Sequence, residues 1–178
     1  MSIDFISAPC TRVNSNCQRP SILCQSSTTS VKFGICDKEP PPSLPAYIDT
    51  TNPVDWIAEV QNPRGINLIF KAIDACVEIT RLDGNAESRC DGVLINDTEL
   101  TFVELKNRVA SGWLSKGRKQ LTITIQKFLS DGNAGYTIKD AYVCNKQRPL
   151  AITSNTNEIQ KFKDDTGLDL KISRIITI

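Results

Sequence analysis

The feature that most restricts this fold is a pair of apolar stretches joined by a short polar turn. Cys90-Asp91-Gly92-Val93-Leu94-Ile95 and Leu100-Thr101-Phe102-Val103-Glu104-Leu105-Lys106 flank Asn96-Asp97-Thr98-Glu99. Both stretches are strand-length, rich in β-branched and aromatic residues, and bounded by turn formers. They read as the two arms of a β-hairpin. Parity then decides which side chains share a face. With Ile95 opposite Leu100, Asp91 falls opposite Glu104, and a tighter turn at Asp97-Thr98 gives the same pairing. Side chains two apart on a strand also share a face, so Lys106 joins Glu104. A loop of odd length would send Asp91 to the other side.

Around the hairpin the pattern predicts further elements. A short helix opens near Pro53, capped by Thr51 or Asn52, and carries Trp56, Ile57 and Val60. A second begins at Asn62-Pro63, with Ile66, Ile69, Phe70, Ile73 and Val77 at helical spacing. Its last turn can also be read as a first strand, Cys76 to Thr80. Trp113 to Leu129 predicts a helix through Leu114, Leu121, Ile125 and Phe128, although Leu121 to Ile125 alternates like a strand. Tyr136 to Cys144 predicts a strand, Asn157 to Asp165 a helix stopped by Gly167, and the alternation from Leu168 to Ile178 a final strand. The expected class is α/β, a mixed central β-sheet flanked by helices.

The 178 residues, 40% hydrophobic, suit a domain with a real core. Residues 1–45 differ from the rest. They are rich in Ser, Thr and Asn, hold Cys10, Cys17, Cys24 and Cys36, and end in Pro40, Pro41, Pro42 and Pro45. They read as a Cys-rich N-terminal arm with a Pro-rich connector, followed by the main domain, 46–178. Four thiolates could hold Zn²⁺ or an iron–sulfur cluster. No Cys-x-x-Cys pair supports either, so plain thiols in a loop-rich arm is the leading reading. Cys76, Cys90 and Cys144 sit among apolar residues and read as core. Seven cysteines is an odd number and argues against a complete disulfide framework. The start, MSIDFISAPCTR, lacks a cationic and apolar leader pattern, and no apolar run is long enough to span a bilayer. A cytoplasmic chain with no membrane partner is expected.

Histidine is absent. Mechanisms that need an imidazole are thereby excluded, among them Ser-His-Asp hydrolysis and HExxH zinc chemistry. Net charge is +1, yet from Glu104 to Arg148 there are nine Lys and Arg against three acids. A basic segment in a near-neutral chain points to a local polyanion contact, or to a solvated helix face.

Two carboxylates side by side on apolar strands repel each other and are costly to bury. A hard divalent cation relieves both problems, and Mg²⁺ or Mn²⁺ would take oxygens from Asp91 and Glu104, with the Leu105 carbonyl as a third. Such an ion polarises a phosphoryl group, and Lys106 beside it can orient water or offset transition-state charge.

The run Asp91, twelve residues, Glu104-x-Lys106, on apolar strands and followed by a helix, resembles the PD-(D/E)xK nuclease superfamily. The resemblance covers roughly residues 63 to 145. It implies an αβββαβ restriction-endonuclease-like core and Mg²⁺-dependent hydrolysis of phosphodiester bonds, most directly in DNA. In such a chain Asp91 and Glu104 bind metal, Lys106 assists the attacking water, and Gln120 is the matching polar residue on the following helix. Lys116, Gln120 and Thr124 form a stripe on that helix. Lys116, Arg118 and Lys119 are the expected phosphate contacts. Cys90 stands where the family's proline would, and Asn67 lies near the place of its usual helix glutamate, with Glu59, Asp74 and Glu78 as the nearby acids. A homodimer would supply the two sites that two-strand cutting needs. The alternative is a catalytically inactive module of the same fold, binding nucleic acid or a protein partner. Asp169-Leu170-Lys171 also fits the tripeptide but lacks a following helix.

Overall fold

A computed structural model describes residues 5–6, 24–38, 44–131, 135–148 and 155–178. Among the described residues the chain is mixed α/β, with two sheets and two helices, and strands predominate. The predicted hairpin is present as β6 (Gly92–Asn96) and β7 (Glu99–Lys106), with Ile95 opposite Leu100 and Gly92 opposite Val103. Asp97, in the turn, takes a φ of 54°, which an Asp tolerates better than most residues.

The hairpin lies at the centre of a six-stranded sheet. On one side are β5 (Leu68–Ala72) and β1 (Gln25–Thr28), all antiparallel. On the other are β8 (Thr137–Asn145) and β9 (Leu170–Ile172), parallel to β7. Parallel neighbours need crossovers. The connections are made through α1 (Trp113–Ser130) and α2 (Thr156–Thr166). Both helices and the β8 strand match the sequence expectation, and Gly167 ends α2 in the left-handed region with φ 75°. A second sheet, ordered β10 (Ile175–Thr177), β4 (Ala58–Gln61), β2 (Lys32–Cys36) and β3 (Tyr47–Asp49), shares one continuous apolar core with the first.

Several expectations are corrected. The helix at Pro53 is a turn followed by β4. Asp49 accepts hydrogen bonds from the Asn52 backbone N–H (2.7 Å) and the Trp56 indole (2.6 Å), which close the turn before a helix can propagate. The helix from Asn62 is a turn followed by β5. The Asn62 amide donates to the Ile66 carbonyl at 2.8 Å and its oxygen accepts from the Ile66 N–H at 3.2 Å, folding 62–66 back on itself. Residues 76–80 form no strand; only Thr80 makes an isolated bridge, to Ala86. The terminal alternation is split between β9 and β10, which lie in different sheets.

Of residues 1–45, expected as an arm, only 5–6, 24–38 and 44–45 are described, and these join the sheets and the core. β1 extends the large sheet, β2 is interior to the small one, and Phe5 is fully buried, edge-on to Phe128 at 5.7 Å. Cys24 is disulfide-bonded to Cys76, 52 positions on, so it is no free thiolate for zinc and Cys76 is no plain core thiol. Cys36 is buried in β2, where burial and then the Asp49 charge push its thiol up to about 11. Cys10 and Cys17 lie outside the described residues. Cys90 and Cys144 are free and buried, as core residues should be. Among the described residues no helix is long and apolar enough to cross a membrane.

Candidate active site

Glu104 is fully buried on β7, and Lys106 stands two residues on at the strand's end. Asp91 lies one residue before β6, where continuation of the register sets it opposite Glu104. Its Oδ2 accepts the Leu105 N–H at 2.6 Å. This bond fixes the carboxylate against β7 beyond the last ladder pair. The Lys106 ammonium donates to Glu104 Oε1 and, at 3.0 Å, to Gln120 Oε1. The three hairpin side chains therefore converge on one face, as the turn parity required.

Helix α1 reaches this face because Gly117 lets it come close. A Cβ there would stand 3.1 Å from Val143, 3.2 Å from Glu104 Cγ and 3.5 Å from Lys106 Cε. One turn later Gln120 bridges, accepting from Lys106 and donating to the Arg89 carbonyl at 2.9 Å. Thr124 follows, accepting the Cys90 N–H at 2.8 Å and donating to the Gln120 carbonyl at 2.9 Å. The predicted stripe of Lys116, Gln120 and Thr124 thus lies over the site. Gln120 and Thr124 hold the segment that leads into Asp91. From the other side the Ile73 N–H donates to the Asp91 carbonyl at 2.9 Å.

The electrostatics follow from burial. Asp91 is pushed up to about 7, first by desolvation and then by the charge of Asp37. Glu104 is held well above the usual carboxylate range by desolvation and then by Asp91. Desolvation alone would lower Lys106; the charge and hydrogen bond of Glu104 outweigh it, and the net direction is upward. Glu104 Oε2 is buried and has no hydrogen-bond partner among the described residues. Such an orphan acceptor is uncommon in folded proteins.

These groups line a cavity of about 310 Å³. Asp74, a loose sequence candidate, is on its wall, while Glu59 is on β4 in the other sheet, paired with Lys32 at 3.1 Å. Lys116 is exposed and lines the cavity; Lys119 is exposed on the same helix. Arg118, the third expected phosphate contact, does not line the cavity. It is buried and bridges to Glu158 at 2.7 Å and Asp165 at 3.2 Å, so its charge fastens α2 to α1. The second tripeptide is spent on surface pairs, Asp169 with Lys163 at 2.8 Å and Lys171 with Asp140 at 2.6 Å.

Sequence reasoning missed Asp37, Lys38 and Trp113, which also line the cavity. Asp37 and Lys38 arrive from the end of β2, a strand with no visible pattern, and nothing local marks them. Trp113 had a signal, since it opens the helix that carries Gln120. Among the described residues no group of three or more His, Cys, Asp or Glu is placed to hold a metal. A cation here would have Asp91 and Glu104 as its carboxylates and draw further oxygens from water or substrate, as Mg²⁺ commonly does. Compared with family models, curated proteins and solved structures, the chain matches none.

Proposed function

We propose that this chain is a metal-dependent nuclease that hydrolyses phosphodiester bonds, in DNA in the first instance. The observation that carries the reading is the convergence of Asp91, Glu104, Lys106 and Gln120 on one cavity, with a buried Glu104 oxygen left without a partner. The succession β5, β6, β7, α1, β8 supports the reading, since a βββαβ order is what a restriction-endonuclease-like core would call for, although among the described residues the helix expected before it is absent and β4 precedes β5. A Mg²⁺ or Mn²⁺ ion held by Asp91 and Glu104 would supply Lewis-acid polarisation of the phosphoryl group and acidify water. Lys106, positioned by Glu104 and Gln120, would place a fixed positive charge where negative charge builds on the pentavalent phosphorus. Asp91, braced by the Leu105 N–H, keeps one carboxylate orientation through the reaction.

The test is cleavage of supercoiled, linear and branched DNA by the purified chain with Mg²⁺ or Mn²⁺. Activity should vanish in Lys106→Ala and Glu104→Gln. Equal cleavage by wild type and Lys106→Ala would assign the activity to a contaminant and sink the reading. A second reading is an inactive module of the same fold, binding nucleic acid or a protein partner. It is favoured by the direct Lys106–Glu104 ion pair, in which the ammonium group itself offsets the Glu104 charge. Calorimetry with Mn²⁺ separates them, since an active site binds the ion and loses it in Asp91→Asn.

A further inference from the structure

The cavity has polar and aromatic groups that metal-ion chemistry does not use. Ser111, Gly112, Trp113 and Lys116 line it, and they form the entry and first turn of α1. This 18-residue helix starts at Gly112, whose φ of 83° suits glycine, with no side-chain cap and no acid in its first turn. Its leading N–H groups are donors that the helix cannot satisfy, and helix N-termini of this kind bind phosphate. Glu104, whose Oε2 is fully buried and without a partner among the described residues, lies on the same wall. Trp113 is half-buried. It packs on the core and also borders the cavity.

Size and depth restrict what can enter. A volume of about 310 Å³ is at the small end of ligand pockets. It has room for about one nucleotide unit. Glu104 is 0% exposed and Asp91 9%, which favours a strand whose phosphate can turn inward over one held in a duplex. We propose that the cavity takes one unpaired nucleotide of a polynucleotide strand, its phosphate on the α1 N-terminus and Lys116 and its base against Trp113. Single strands and unpaired tails are then the substrate class. This rests on the nuclease reading above and adds the form of the substrate to it.

The experiment compares cleavage with Mn²⁺ of a labelled single strand, a blunt duplex and a duplex with an unpaired tail, in DNA and RNA versions, alongside anisotropy binding of the same strands without metal. The single strand and the tail should be cut at least tenfold faster than the blunt duplex. Trp113→Ala should raise KM for single strands by about tenfold or more with kcat little changed, the loss expected for one stacked base. Trp113→Phe should recover most of it, and keeps the test open if the alanine variant does not fold. Lys116→Ala should raise KM and flatten its salt dependence. A blunt duplex cut as fast as the single strand overturns the proposal, as does an unchanged KM in Trp113→Ala; should that variant not fold, an unchanged KM in Lys116→Ala overturns it. If nothing is cut, or cleavage survives in Glu104→Gln, it is the nuclease reading that fails. Anisotropy then decides the proposal alone, equal affinity for single strand and duplex counting against it.

Discussion

Raising the pH should destabilise the metal-free protein, because Asp91 is buried as an acid the unfolded chain would ionise freely. Its carboxyl rises from an ordinary 3.8 to about 7, through desolvation first and the Asp37 charge second. Between those values the native state binds more protons than the unfolded one, so stability falls as pH rises and the loss is complete above about pH 7. A shift of about three units corresponds to roughly 4 kcal/mol, at about 1.36 kcal/mol per unit. Glu104 is shifted in the same direction and adds to the loss. Lys106, whose shift lies above 10.5, titrates outside the window. Asp49, held down to about 2 chiefly by the Trp56 indole and the Asn52 N–H, acts only at the acid end. Roughly 3 kcal/mol of the Asp91 loss falls between about pH 4.5 and about pH 7.5. For a chain of this length each kcal/mol moves Tm by about 2–4 °C, so Tm in EDTA should drop by roughly 6–12 °C over that range. Mn²⁺ at about a hundred times its Kd should restore about 2.7 kcal/mol at the upper pH and much less at the lower, where the acids are protonated. Circular-dichroism melts of wild type and Asp91→Asn, with and without metal, measure this. A Tm in EDTA that is flat or rising over that range, or an Asp91→Asn variant with the wild-type slope, refutes the reasoning.

Two other outcomes follow from packing. Gly117→Ala gains about 1 kcal/mol of helix propensity but forces a Cβ against Val143 and Glu104, both fully buried. Overpacking of that kind costs about 1–3 kcal/mol, so urea unfolding should show a net loss of about 1 kcal/mol together with reduced activity, and a stabilised variant would contradict the close approach of α1 to β7. Removing the Cys24–Cys76 bond in a Cys24→Ser/Cys76→Ser variant frees a loop of 52 positions and should cost about 4 kcal/mol by chain entropy. An unchanged urea midpoint, in the variant or in reductant, would show that this bond does not hold β1 to the loop after β5.

What the sequence makes legible is set by how local each cause is. The β6–β7 hairpin is readable because its turn and its parity lie within one short stretch, and the same parity assembles Asp91, Glu104 and Lys106. Helix α1 is readable from length, and Gln120 from its place on it. The strand β5 is not. It is buried on nearly every residue, so Leu68 to Ala72 shows no alternation, and Ile66, Ile69, Phe70 and Ile73 match helical spacing equally well. β1 is hidden for the opposite reason, as Gln25 to Thr28 is a polar edge strand with mostly exposed side chains. Arg118 shows the limit for charges. Its type and helix predict a phosphate contact, but its partners Glu158 and Asp165 lie 40 and 47 residues on, and only the packing of α2 brings them in. Asp37 and Lys38 reach the cavity through a sheet that local pattern did not reveal at all.

The position of the site in the sheet has its own physical logic. β7 is the strand where pairing changes from antiparallel, toward β6, to parallel, toward β8. The chain leaves the end of β7 for α1, so the end of that strand is open to a ligand, as crevices at the carboxyl ends of parallel strands generally are. An antiparallel neighbour brings its beginning to the same place, which is how Asp91, preceding β6, meets Glu104 and Lys106 at the close of β7. The parallel neighbour brings its end there too. Asn145, the last residue of β8, donates to the Arg108 carbonyl at 2.8 Å, and the Lys146 N–H donates to the Lys106 carbonyl at 2.9 Å. The loop after β7 is thereby tied down before it turns into α1, and the first turn of that helix is delivered to the cavity wall. A hairpin alone would place two acids together but leave them on an open face. The parallel crossover encloses them, and enclosure is what raises the cost of their charge.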